Sequence, residues 1–134
     1  MKARYPGFQN CMAMMRDRDP QTREDGFHWL LPHVGEHIHE LIEEFPEEED
    51  HGLRCWLLEL IGSARSPDAF EFLADQLRAD DQRFRFWAIR GLKNLGTKEA
   101  RTLLWEARSF ALASLEETEA FRSDLDSVSN NQGS

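Results

Sequence analysis

Asp81-Gln82-Arg83-Phe84-Arg85-Phe86-Trp87-Ala88-Ile89-Arg90-Gly91-Leu92-Lys93-Asn94-Leu95-Gly96 decides the fold. Sliding the chain by 31 residues, the spacing of Asp19, Asp50 and Asp81, brings Leu53, Arg54 and Trp56 onto Phe84, Arg85 and Trp87. A second slide of the same length puts Thr22 and Arg23 in the first two of those columns. Further along, Ala69 falls on Ala100, and Ile42, Leu73 and Leu104 share a column. A fixed period of this size marks stacked supersecondary units, none of which buries its apolar face alone.

Each unit reads as a helical hairpin. Phe8, Met12 and Met15 recur at helical spacing in an opening helix over 5–16. Asp19-Pro20 supplies an N-cap and a proline at the first helical position, and Pro32 and Gly35 are expected to end the helix that follows. A helix near 36–45 buries Ile38, Leu41, Ile42 and Phe45, and Pro46 stops it. Asp50 then starts a helix with Leu53, Trp56, Leu57, Leu60, Ile61 and Ala64 inward. Ser66-Pro67-Asp68 opens the next, with Phe70 or Ala69, Leu73 and Leu77 inward. In the third unit Phe84, Trp87, Ala88, Gly91, Leu92 and Leu95 face the core, Gly96 closes the helix and Thr97 caps the next. From Lys98 the pattern stays helical with the register lost, as for a capping segment with a polar outer face.

The predicted architecture is therefore an all-α solenoid of about three hairpins with a C-terminal capping helix. One domain spans 1–122, with repeats near 5–33, 36–64 and 67–95 and a cap over 98–121. Residues 123–134 form a polar tail expected to be mobile.

Composition narrows the function. Scarce β-branched residues, with two Val and four Ile, favour helix. Cys11 and Cys55 are too few for a disulfide scaffold and lack metal-type spacing, so they read as free thiols in a reducing, cytoplasmic setting. No segment approaches transmembrane length, so no membrane partner is expected. The net charge of −9 argues against a nucleic-acid surface. It is also uneven: residues 36–50 hold eight acidic groups and no Lys or Arg, while residues 78–108 hold eight Lys/Arg against four Asp/Glu. Such polarity favours electrostatic selection of a basic partner.

The units resemble HEAT repeats, in the short variety of about thirty residues seen in phycobilin-lyase-type repeat proteins. The resemblance covers 17–108. It is carried by the Asp at the turn, by the pairs Thr22-Arg23, Leu53-Arg54 and Phe84-Arg85, and by Leu95-Gly96-Thr97-Lys98-Glu99-Ala100, with Arg65-Ser66-Pro67-Asp68-Ala69 as a looser copy. It implies paired helices whose second members line a concave face, and it implies no activity. Asp19, Asp50, Asp81, Arg23, Arg54 and Arg85 are assigned to a structural ladder of caps and Asp–Arg contacts.

His33-Val34-Gly35-Glu36-His37 has the H-x-x-E-H order of one zinc protease class. That chemistry needs both histidines on one uninterrupted helix, and Pro32 and Gly35 break it, so the two histidines are expected to flank a turn. His33 shares its column with Ala64 and Leu95 and is expected to pack. His39-Glu40 is a single pair on a convex helix, whereas the HEAT-repeat hydroxylase it resembles uses several on concave helices. No catalytic residue, metal or cofactor is assigned.

The outward columns of the concave helices are Glu24/Cys55/Phe86 and His28/Glu59/Arg90, with Lys93 just beyond. An outward aromatic beside Arg is a hot-spot composition, while the bland alternative packs Phe86 under the C-terminal segment. Glu24, His28, Glu59, Phe86, Arg90 and Lys93, with Glu47, Glu48 and Glu49 on the acidic edge, form the expected partner-binding set. The expected function is a non-catalytic protein-binding module, of an inhibitor or immunity type, that takes a protein with a basic surface. The alternatives are a lyase-like small-molecule or chromophore handler using Cys55, His28, Glu59 and Phe86, and a metal-dependent enzyme using His33, Glu36 and His37.

Overall fold

A computed structural model describes residues 4–113, with side chains to Ser109, and among these residues there is no strand. The order is α1 (Phe8–Met15), α2 (Pro20–Leu30), a 3-10 segment (Leu31–His37), α3 (Ile38–Glu47), α4 (His51–Ser63), a 3-10 turn (Pro67–Ala69), α5 (Phe70–Gln76), α6 (Gln82–Leu95) and α7 (Lys98–Ala113). α1 packs on α2, α3 on α4 and α5 on α6, with α7 laid on α6. The architecture is the all-α solenoid the period predicts. The polar tail and the end of the capping helix lie outside the described residues.

The repeat is sharpest at the helix starts. Asp19, Asp50 and Asp81 cap α2, α4 and α6 with nearly identical extended backbones, φ −77°, −76° and −79°. Their carboxylates accept the amides of Thr22 (3.0 Å), Leu53 (2.8 Å) and both Arg83 and Phe84 (2.9 and 3.1 Å). Each cap satisfies an orphan amide and contributes about 1 kcal/mol. Two residues earlier, Asp17 and Glu48 accept the amides of Asp19 and Asp50 at 2.9 and 3.0 Å. The third copy has Ala79 there, and its carbonyl accepts from Arg85 at 2.7 Å instead.

The helix ends diverge. Gly96 closes α6 in the left-handed region (φ 66°), the conformation glycine adopts without penalty. Its column partner Arg65 takes the same conformation (φ 51°) with a side chain that disfavours it. In the first repeat that column holds Val34, buried inside the 3-10 segment. The expected break at Pro32–Gly35 is therefore corrected: the chain tightens into 3-10 geometry and runs on into α3, and His33 and His37 share that segment rather than flanking a turn.

The ladder's caps stand, but its Asp–Arg contact is corrected at Arg54. The Arg54 guanidinium lies 4.2 Å from the Phe45 ring centroid and 4.8 Å from that of Phe84, and its Nε donates to the Phe45 carbonyl at 3.2 Å. Arg54 is thus an aromatic filler between hairpins, not a partner of aspartate. The side chain that does reach across to Asp81 is His51, with Nε2 2.7 Å from Oδ2.

One core runs from Phe8 to Ala100. Trp56 and Trp87 are both half-buried and equivalently placed: Trp56 packs on Phe27 (5.1 Å), and Trp87 lies beside Leu58, the register partner of Phe27. Ala69, not Phe70, takes the inward position of its turn. Between α4 and α6 the backbones nearly touch. A Cβ on Gly62 would stand 2.9 Å from the Gly91 Cα, and one on Gly91 would stand 3.0 Å from Leu73. The expected polar outer face of the cap is interrupted by Trp105, 69% exposed on α7.

Candidate docking face

The glycine contact shapes the surface above it. Because Gly62 and Gly91 carry no side chain, a small open cleft of about 70 Å³ lies between α4 and α6, lined by Leu58, Glu59, Ser63, Trp87, Arg90 and Asn94. Asn94 Nδ2 donates across it to the Gly62 carbonyl at 3.4 Å. Glu59 and Arg90, one repeat apart in sequence, face each other there. Burial raises the Glu59 carboxyl above its ordinary value, and the nearby Arg90 charge opposes part of that rise.

The Arg90 guanidinium stands 5.8 Å above the Phe86 ring and 6.0 Å above Trp87, and those rings meet edge to face at 5.1 Å. Phe86 is half-buried against the core, with part of its ring at the surface. Lys93 is half-buried, and burial, then the charge of Arg90, lowers its pKa. Glu59, Phe86, Arg90 and Lys93 thus form one patch with a cationic rim and an aromatic floor. Sequence reasoning missed Trp87 and Asn94 as lining residues; the two glycines, standing where the preceding repeat has Leu31 and Leu60, are the signal that a cleft opens there.

Glu24 and His28 lie on α2, one repeat away, both exposed. His28 Nδ1 is 2.8 Å from the Glu24 carbonyl, which fixes the ring's direction. Cys55 does not join the outward column: it is 8% exposed, and burial raises its thiol pKa. A concave groove lined by Cys55 is thereby corrected, because the short side chain sinks between the hairpins where Phe86 is long enough to emerge.

The acidic edge lies most of the length of α4 from the cleft, about 15 Å from Glu49 to Glu59 at 1.5 Å per residue. Glu47 and Glu49 are exposed. Glu48 is not free: Arg16 Nε holds one of its oxygens at 3.0 Å while the Asp50 amide donates to the other. The second arm of Arg16 reaches Glu44 at 3.0 Å.

The histidines of the H-x-x-E-H order are each engaged with their own partner. His33 Nδ1 pairs with Glu36 at 2.8 Å and its ring stacks on Tyr5 at 3.8 Å. His37 Nδ1 pairs with Glu40 at 2.6 Å and its Nε2 accepts from the Tyr5 hydroxyl at 2.9 Å. Among the described residues no group of three potential ligands converges on a metal position. The arrangement fastens the N-terminal segment to the 3-10 turn.

Stacked helical hairpins with an open, mixed aromatic and charged face define a repeat-type helical scaffold. A family model described as HEAT repeats matches residues 38–116, more than half of the chain, and the chain belongs to the HEAT-repeat family. No curated protein and no solved structure matches it. HEAT repeats commonly mediate protein–protein interaction. No helix among the described residues is long and apolar enough to cross a membrane.

Proposed function

We propose that this chain is a non-catalytic cytoplasmic module that binds a protein with a basic surface, as an inhibitor or immunity-type protein binds a toxin or enzyme. The observation that carries the reading is the Arg90–Phe86–Trp87 stack beside Glu59, an aromatic anchor with charged neighbours on the shared face of the second helices. The cleft supports a protein over a small ligand, since about 70 Å³ is far below the roughly 300–1,000 Å³ of small-molecule sites. It has room for one side chain of a partner. Glu47 and Glu49 on the acidic edge supply long-range attraction to a basic surface. Both cysteines are unpaired, which supports a reducing compartment.

The test is affinity capture from native cells with the parent chain, Phe86→Ala, Arg90→Ala and the α5 control Glu71→Lys. The expected result is one partner retained by parent and control and lost from the two face variants. Retention by all four would remove this face from the account. With the partner in hand, reversing Glu47 and Glu49 to Lys weakens binding and flattens its salt dependence; unchanged affinity would exclude the acidic edge.

A further inference from the structure

Where α4 begins, three side chains line up that the docking face does not use. Cys55 Sγ lies 4.0 Å from His51 Nδ1, and His51 Nε2 lies 2.7 Å from Asp81 Oδ2. The imidazole is stacked nearly parallel on Phe84, at 5.2 Å and 17°. With Asp81 accepting from Nε2, the neutral form of the ring is the tautomer that presents the Nδ1 lone pair to the thiol. Thiol, imidazole and carboxylate in that order are the elements of an activated nucleophile.

The three residues come from independent constraints. His51 and Cys55 are four apart on α4 and therefore share a face. Asp81 is brought there by the repeat, as the cap of α6. In the first repeat the column of His51 holds Pro20 and that of Cys55 holds Glu24, so the constellation occurs at only one of the two repeat junctions. Cys11 is a built-in contrast: both thiols are buried, at 0% and 8% exposure, but among the described residues only Cys55 has an imidazole beside its sulfur.

We propose that Cys55 is a thiol-modification site, activated by His51 with Asp81 as the positioning residue, whose substrates are small-molecule disulfides. Burial keeps the thiol protonated at neutral pH, with Asp81 adding to that effect and Arg83 and Arg54 opposing it. Proton loss therefore accompanies attack. Cys55 Sγ forms a bond to one sulfur of the disulfide while its proton passes to His51 Nδ1. The S–S bond of the reagent breaks and its second sulfur leaves as a thiolate, which recovers the proton from the imidazolium. One thiol and one disulfide give one mixed disulfide and one thiol, with no other oxidant required. The half-exposed imidazole gives the proton a route to solvent.

The test uses the full chain and an aromatic disulfide reagent whose released thiol is coloured, with mass spectrometry to locate the adduct. The parent and Cys11→Ser are expected to show one fast phase at Cys55, and Cys55→Ser only the slow reaction of Cys11. His51→Gln slows the fast phase at least roughly tenfold at neutral pH and removes the rise in rate that follows imidazole deprotonation. Asp81→Asn, which keeps a capping side chain, slows it less. Labelling of Cys11 within each variant reports global opening, so a slowed Cys55 with an unchanged Cys11 is a chemical effect. Equal rates for the two thiols, or a His51→Gln chain with the parent's rate and pH profile or a faster rate, would overturn the proposal.

Discussion

The two junctions between repeats are built from the same columns and hold together differently. Between the second and third repeats, Gly62 and Gly91 let α4 and α6 meet backbone to backbone, Arg54 fills the space between Phe45 and Phe84, and His51 ties α4 to the cap of α6. Between the first and second, the same columns carry Leu31, Leu60, Arg23 and Pro20. There the contact is made by the Phe27–Trp56 rings and by the two-armed ion pair of Arg16 to Glu44 and Glu48. The caps are shared because they are local; the inter-repeat contacts differ because each depends on what the neighbouring hairpin supplies.

The largest effect is expected at the glycines. Gly62→Ala places a methyl against the Gly91 backbone, which has no flexible end to yield, and costs about 1–3 kcal/mol. Thermal or denaturant unfolding measures it, and a neutral result would mean that α4 and α6 are not in close contact. Asp81→Ala is expected to cost about 1–2 kcal/mol, more than Asp19→Ala, because it removes a cap that also holds His51.

The same carboxylate sets a pH dependence. Burial alone would raise its pKa, but hydrogen bonds from His51 and from the amides of Phe84 and Arg83 hold it below the ordinary carboxylate value. A depressed pKa contributes stability that is present above the unfolded value, near 3.9, and is lost as pH falls through the lower folded value. Asp81→Asn therefore flattens the acid limb of the stability curve below about pH 4, which acid titration by circular dichroism reads directly.

Arg54→Ala follows, at about 1 kcal/mol from the lost ring and carbonyl contacts, while Arg23→Ala in the same column stays within about 0.5 kcal/mol. Arg65→Gly runs the other way: matching Gly96 at a left-handed position, it stabilises by up to about 1 kcal/mol. Arg16→Ala costs less than about 1 kcal/mol, because its pairs lie at a partly exposed surface.

The period, the three aspartate caps and the Gly96 stop were legible in the sequence because each is chemistry within a few residues. The partner of Arg54 was not, since its rings come from α3 and α6. Nor was the depth of Cys55: it shares a column with Glu24 and Phe86, but exposure there depends on side-chain length. Glu48 looked like one more acid in a run, and only the fold brings Arg16 of the first hairpin to it. Among the docking residues, the Glu59–Arg90 pair was visible as a column, whereas Trp87 and Asn94 needed the glycine approach to become lining residues.

The claim that the face of the second helices takes the partner is tested most directly by titrating the captured partner into isotope-labelled chain and following amide and indole resonances. Shifts are expected at His28, Glu59, Arg90 and the Trp87 indole, with α3 and α5 quiet. Shifts confined to α1, α3 and α5, with the Trp87 indole unmoved, would contradict it.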